Sequence, residues 1–281
     1  MNPTKLTPGT FATRGLLVAA VAFLGGAAAF GGLFDRATAQ APVEKAASAK
    51  AIEAFSKQQK AGIEAIVREY LLANPEILFE VQNLLEKRAE EMQAERMKTA
   101  IKSNAEELYR RTDAPMAGDP DGDVTVVEFF DYNCGFCKRG LSQLSKLIDN
   151  DKKVRVVLKE LPILSQGSEE ASRIALAAKK QGKYWEVHSA LLNHRGALDG
   201  NSAMRVAGKL GLDVEKLNKD KDSKEVTAEI EKVRESAQKM RINGTPHFLV
   251  GDRTIPGAPE NLYEQLAGHV KDLRENGCEV C

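Results

Sequence analysis

The chain of 281 residues holds four cysteines, Cys134, Cys137, Cys278 and Cys281, arranged as two Cys-x-x-Cys pairs. A chain this long can bury a sizeable core without covalent staples, so two tight pairs point to chemistry rather than to a disulfide framework. Cys134 follows an apolar run, Val124 to Phe130, that reads as a buried strand, and it opens a helical pattern reaching about Asp149. Free N–H groups and the positive dipole end at such a junction favour a thiolate, the species that attacks a disulfide. A fall of about two units in a thiol pKa corresponds to about 2.7 kcal/mol. A helix end supplies at most about 2 kcal/mol, so local hydrogen bonds must add to it. The i, i+3 spacing puts Cys137 on the same helical face, one turn deeper and close enough to bridge to Cys134. Cys134 is therefore read as the attacking thiol and Cys137 as the resolving one. Gly135 lets a substrate backbone approach, and Phe136 offers an uncharged apolar contact. The competing reading is a structural disulfide or half of a zinc site. About 140 residues separate the two pairs, whereas a zinc ribbon spaces them by roughly 15–20.

Two charges interrupt apolar strands: Glu128 in the first, and Lys159 in the second, Val154 to Lys159. Parallel neighbouring strands would bring them together under the cysteines, where a buried carboxylate and lysine would relay the Cys137 proton. The alternative is that both are edge charges facing water. Gly244-Thr245-Pro246 precedes a third strand, and a proline there suits a turn entering a sheet edge. In that loop the Thr245 backbone would be free to pair with a substrate strand. The terminal Cys278/Cys281 pair has three readings: its own small disulfide, a soft-metal site such as one for Cu(I), or an electron shuttle to the first pair. His188, His194, His247 and His269 show no ligand spacing. His247, next to Pro246, is the one that could approach the site, although it reads most simply as a strand residue. Tyr184 and Trp185 read as core or helix-face residues.

Several elements must position these groups. The N-terminus has Lys5 and Arg14, an uncharged run from Gly15 to Phe34, and then Ala37-Thr38-Ala39. This is the order of an export signal over residues 1–39, with an uncleaved anchor as the rival. Residues 40–51 read as a linker. Residues 52–112 read as helical, with Ile63, Ile66, Val67, Tyr70 and Leu71 at helical spacing. Asn74-Pro75-Glu76 reads as a second helix start, with Asn74 as its cap. The second helix carries Leu78, Val81, Leu85 and Met92, broken by Arg88. Asp113 to Asp123 is a Pro/Gly/Asp-rich break, read as a domain boundary. Residues 163–240 read as a helical insertion. Ser168 is expected to cap its first helix, which Gly182 ends. Asn201 or Ser202 caps a later one, with Gly211 past its end, and Val226, Ile230, Val233 and Met240 stripe the last. His247–Val250 and Arg253–Pro256 form a hairpin about Gly251-Asp252, and residues 259–276 a closing helix. Lys and Arg number 40, matching 40 Asp and Glu. That balance gives no support for a nucleic-acid footprint.

Glu128-Phe129-Phe130, Cys134-Gly135-Phe136-Cys137, Lys159 and Thr245-Pro246 together resemble the DsbA-like thioredoxin superfamily. The resemblance covers residues 113–277. It implies an α/β thioredoxin fold with an inserted helical domain, preceded by an N-terminal helical extension. It also implies that Cys134 and Cys137 are the redox pair, that Pro246 is the family's cis-proline, with Thr245 before it, and that Glu128 and Lys159 are its buried charged pair. The stretch AIVREYLLANPEILFEV resembles the N-terminal domain of the ScsC (suppressor of copper sensitivity) branch, several of whose members oligomerise there and act as disulfide isomerases. The resemblance thus implies a periplasmic isomerase or reductase, forming a homo-oligomer, with a trimer favoured. Misfolded or oxidised client proteins and a membrane thiol reductase are its expected partners. No cofactor is expected beyond the Cys134–Cys137 disulfide. A monomeric dithiol oxidase and a copper-binding thiol protein are the alternatives. Cys278 and Cys281 lie outside the family pattern.

Overall fold

The structure, a computed structural model, describes residues 54–278. The expected export signal, the linker over residues 40–51 and Cys281 lie outside them. No helix among the described residues is long and apolar enough to cross a membrane.

The chain divides into two compact units at Ile77/Leu78. In the first, α1 (Lys57–Ala73) starts on a capping box between Ser56 and Gln59. It buries none of its side chains: Ile66 is 68% and Tyr70 58% exposed. Asn74 closes α1, giving both its backbone N–H and its side-chain amide to the Tyr70 carbonyl. It was expected to cap the next helix instead.

The second unit opens at Leu78, within α2 (Glu76–Ser103), which also exposes an apolar stripe that includes Phe79 and Leu85. Its end, with the π-helical turn Glu106–Arg110, buries Ile101, Ala105, Leu108 and Tyr109 against the sheet. The expected boundary at residue 112 is therefore displaced. Residues 101–109 belong to the core of the sheet, because they cover one of its faces.

The sheet has the order β1 (Met116–Gly118), β3 (Val154–Glu160), β2 (Val124–Phe130), β4 (His247–Val250), β5 (Arg253–Pro256). β2 and β3 are parallel and the other pairs antiparallel. β2 is buried at every residue, which is why it reads as a continuous apolar run rather than an alternating one. The short edge strand β1 lies inside the segment read as a break. There Gly118 has φ +77°, and a Cβ would stand 2.4 Å from the Val154 carbonyl oxygen, so only glycine fits.

One sheet face is covered by α3 (Gly135–Asn150), by α9 (Leu262–Asn276) and by the inserted helices. Those helices are α4 (Gln166–Lys179), α5 (Tyr184–Leu192), α6 (Gly200–Lys209), α7 (Val214–Asp220) and α8 (Lys224–Lys239). The other face is covered by the end of α2, the π turn and α8. Two caps sit three residues or fewer upstream of their expected positions. Ser165 caps α4 by accepting from the Ser168 N–H, and Asp199 caps α6 in a capping box with Ser202. In both helices the residue first taken for the cap lies in the first turn.

Candidate active site

The parallel register decides which face each charge occupies. Glu128 stands opposite Leu158, and Phe129 opposite Lys159. Alternation along the strands then sends Glu128 to the α3 face and Lys159 to the other. Both side chains are buried, at 1% and 0% exposure, but they do not form the expected pair. Lys159 donates instead to the Glu107 carboxylate (2.7 Å) and to the Glu107 carbonyl (2.8 Å). Arg111 joins Glu107, Asp113 and Glu229 in the same network. Burial pushes the Glu107 pKa up, but its bonds and charge interactions with Lys159 and Arg111 outweigh that and hold it below the usual range. Burial lowers the Lys159 pKa, partly offset by Glu107.

Neither carboxyl oxygen of Glu128 has a hydrogen-bond partner. Burial first, and the charge of Cys134 second, push its pKa to about 8. Cys134 is the N-cap residue of α3. Its thiol is held down to about 5, first by the Cys137 side chain, against the opposing effect of burial, and then by the Thr245 side chain and the backbone N–H groups of Cys137 and Phe136. Cys137 is fully buried, and its thiol is pushed well above the ordinary range by burial, by its bond to Cys134 and by the charge of Glu128. The pair is therefore asymmetric: one thiol ready to ionise, the other held protonated. Both are free thiols in this structure.

The Thr245–Pro246 peptide bond is cis, and the Thr245 carbonyl oxygen lies 3.1 Å from Cys134 Sγ. Gly135 is exposed, with open space where a Cβ would stand, and Phe136 is half exposed under the Arg139 guanidinium, 4.2 Å from its ring centre. The structure thus brings Cys134, Cys137, Glu128, Gly135, Phe136, Thr245 and Pro246 together and leaves Lys159 out. His247 bonds Thr254 across the hairpin, and burial pulls its pKa to about 4.

Sequence reasoning missed the residues that hold the cysteine turn. Asp131 is fully buried, accepts from Asn133 N (2.7 Å), and also accepts from Ile163 N and Leu164 N. Asn133 donates to Ser165, Ser168 and the Leu198 carbonyl and accepts from Leu198 N. Lys138 donates to the carbonyls of His194 and Gly196. The residues just before Cys134 and just after Cys137 thus tie the redox turn to the inserted helices. Glu160 was also missed. It accepts from Tyr132 (2.9 Å) and Tyr184 (2.8 Å), and Tyr132 meets His188 Nδ1 at 3.3 Å. A charge at the end of an apolar strand was the available signal for Glu160, as it was for Lys159.

Residues 125–270, a little over half of the chain, match the DSBA-like thioredoxin domain. The chain belongs to the DSBA-like thioredoxin family. Residues 59–91 match the copper resistance protein ScsC N-terminal domain. A thioredoxin-like oxidoreductase of Silicibacter pomeroyi DSS-3 is 45% identical, over 60% of this chain and 97% of that one, with a TM-score of 0.58. A linker-deletion form of ScsC from Proteus mirabilis is 28% identical, over 79% of this chain and 98% of that one, with a TM-score of 0.60. The Na(+)/H(+) antiporter NhaA 3 of Salinispora tropica is 30% identical over 147 residues, which are 52% of this chain and 22% of that one. The chain thus spans about a fifth of the length of the curated relatives it matches. Its Cys134–Cys137 pair supplies the two free thiols that thiol–disulfide exchange needs. The ScsC name raises copper, for which the terminal cysteines were the candidate ligands. Cys278 is disulfide-bonded and packs against the core, and in that form it offers no thiolate to a soft metal. Among the described residues no group of three His, Cys, Asp or Glu side chains is placed to hold a metal.

Proposed function

We propose that this protein is a periplasmic disulfide isomerase or reductase acting on client proteins. The observation that carries the reading is the asymmetry of the pair, with Cys134 down to about 5 and Cys137 raised. At neutral pH the Cys134 thiolate attacks one sulfur of a client disulfide. A Cys134–client bond forms, the client S–S bond breaks, and the other client sulfur leaves as a thiolate. Resolution by Cys137 must first remove a proton from a buried thiol. Glu128 is the acceptor within the site, once its own proton has passed to the departing client thiolate. Its pKa falls once the Cys134 charge is consumed in the mixed disulfide, because that charge is one of the two causes raising it. Slow deprotonation of Cys137 gives the client thiolate time to attack elsewhere, which is isomerisation. Cys137 attack instead completes a reduction, leaving a Cys134–Cys137 disulfide that a membrane thiol reductase must reduce. Thr245 offers its backbone to the client strand beside Pro246, and Gly135 and Phe136 meet the client.

The exposed apolar faces of α1 and α2 support a homo-oligomer, for which a trimer is the favoured number. Several sites held around one client would raise effective concentration. The test is refolding of a scrambled disulfide protein by the full chain, by a Cys137→Ser variant and by an Ile66→Glu/Tyr70→Glu variant. Recovery by wild type and by Cys137→Ser, with loss in the α1 variant together with loss of the oligomer, is expected. No recovery by wild type, with rapid oxidation of a reduced client, would replace the isomerase with a dithiol oxidase.

A further inference from the structure

One groove is not used by the chemistry above. It encloses about 710 Å³ between α2 and the segment Lys239–Asn243, which leads into the Thr245–Pro246 loop. Its lining includes Met92, Arg96 and Met97 from α2, and Lys239, Arg241 and Asn243 from the loop side. No carboxylate lines it, and among the described residues Arg96, Lys239 and Arg241 enter no ion pair. Three other grooves of the described residues each carry at least one acid. Among the described residues Arg241 is the one non-glycine residue with positive φ, at 55°. It closes α8 where glycine or asparagine would fit with less strain. An arginine at such a position points to a use for its side chain.

Asn243 is two residues from Thr245, whose carbonyl oxygen meets Cys134 Sγ at 3.1 Å. A client strand lying along Thr245 therefore reaches the groove within about two residues, or about 7 Å of extended chain. We infer that this groove is a client subsite that takes an extended segment in which carboxylates alternate with large apolar side chains. The carboxylates meet Arg96, Lys239 and Arg241, and the apolar groups lie on the methionines. The inference rests on the reading that Cys134 attacks client disulfides, and it adds the residues that choose among clients.

The test measures thiol–disulfide exchange between the reduced full chain and cysteine peptides that carry a thionitrobenzoate leaving group. One peptide has no tail. The others carry a tail of about six residues, about 20 Å when extended, placed before or after the cysteine, with Glu/Leu, Lys/Leu or Gly/Ser composition. A Glu/Leu tail on one side is expected to speed exchange about tenfold over Gly/Ser, the effect of three exposed ion pairs in their usual range. The gain should fall to about twofold or less in Arg96→Gln/Arg241→Gln and at high salt, where surface charges are screened. The untailed peptide should react equally with both proteins. Equal rates for all tails, or a faster Lys/Leu tail, would overturn the groove assignment. So would an Arg96→Gln/Arg241→Gln variant with altered assembly mass and unchanged tail preference, since the groove would then be a contact between copies. Failure of the untailed peptide would instead refute the reading of Cys134.

Discussion

Replacing Glu128 with Gln separates two arrangements by the sign of a pH effect. Gln keeps the size of the protonated carboxyl and cannot ionise. Glu128 has its pKa raised from 4.5 to about 8 in the reduced fold. Between these values the native state holds a proton that the unfolded chain has released, so wild-type stability falls as pH rises. The slope is about 1.4 kcal/mol per pH unit. The contribution is complete below pH 4.5 and lost by about pH 8. From pH 5 to pH 7 the Glu128→Gln protein should therefore gain about 2.7 kcal/mol relative to wild type. Urea unfolding of both reduced proteins at pH 5, 6 and 7 measures this directly, and the wild-type/variant difference cancels the other titrating groups. In the oxidised protein the Cys134 charge is absent, so the window should end at a lower pH. Had Glu128 been paired with Lys159, its pKa would be depressed. The variant would then be destabilised by an amount that does not change between pH 5 and pH 7. That outcome would refute the unpartnered carboxyl.

The ion network on the other face responds differently. Glu107→Gln should cost about 3 kcal/mol in thermal or urea unfolding, because it strands the buried Lys159. Glu107→Leu/Lys159→Met together should recover most of that loss, and neither change should move the titration of Cys134. Absorbance of the Cys134 thiolate near 240 nm should titrate at about pH 5. Cys137→Ser should shift that midpoint, since the Cys137 side chain is the largest influence on it, and an unmoved midpoint would reassign the stabilisation to the helix end. Asn133→Ala removes bonds to Ser165, Ser168 and Leu198. It should speed amide hydrogen exchange in residues 193–198 while leaving the core strands protected.

The strands and the redox helix were legible because their signals are local. A largely apolar run broken by Glu128 marks β2, and a Cys-x-x-Cys after it marks the strand-to-helix junction. The face on which Lys159 lies was not legible, because it turns on a one-residue difference in register and the side-chain period of a strand is two. Composition also hid β1, a three-residue edge strand among Pro, Gly and Asp, whose only requirement is a glycine that the Val154 carbonyl can approach. The domain boundary misled for a related reason. Helical periodicity runs through Ile101 and Leu108 whether a helix faces solvent or the sheet, and only the packed structure shows that this stretch covers β2 and β3. Asp131, Asn133 and Lys138 have no pattern of their own. Their partners in the insertion are backbone groups and the Ser165 and Ser168 hydroxyls, 32 or more residues away in sequence, and no spacing rule predicts such bonds.

The two buried carboxyls on the α3 face of the sheet show why the state of Glu128 matters for function. Glu160, opposite Phe130, receives two phenol hydroxyls and has no role in the thiol chemistry. This face can therefore give one oxygen of a carboxyl two donors, although Oε2 of Glu160 has no partner and burial still lifts its pKa to about 8. At Glu128, beside the cysteines, it supplies none, although an unpartnered buried polar group costs several kcal/mol on the order of its desolvation. A group held in that condition is close to balanced between its two protonation states, and a nearby charge can tip it. In the cycle proposed above, Cys134 carries that charge in the reduced protein and loses it on bonding to a client. Glu128 then moves toward the carboxylate at the step where Cys137 has to release a proton. A lysine partner would have pinned Glu128 in the charged state throughout the cycle and removed this response.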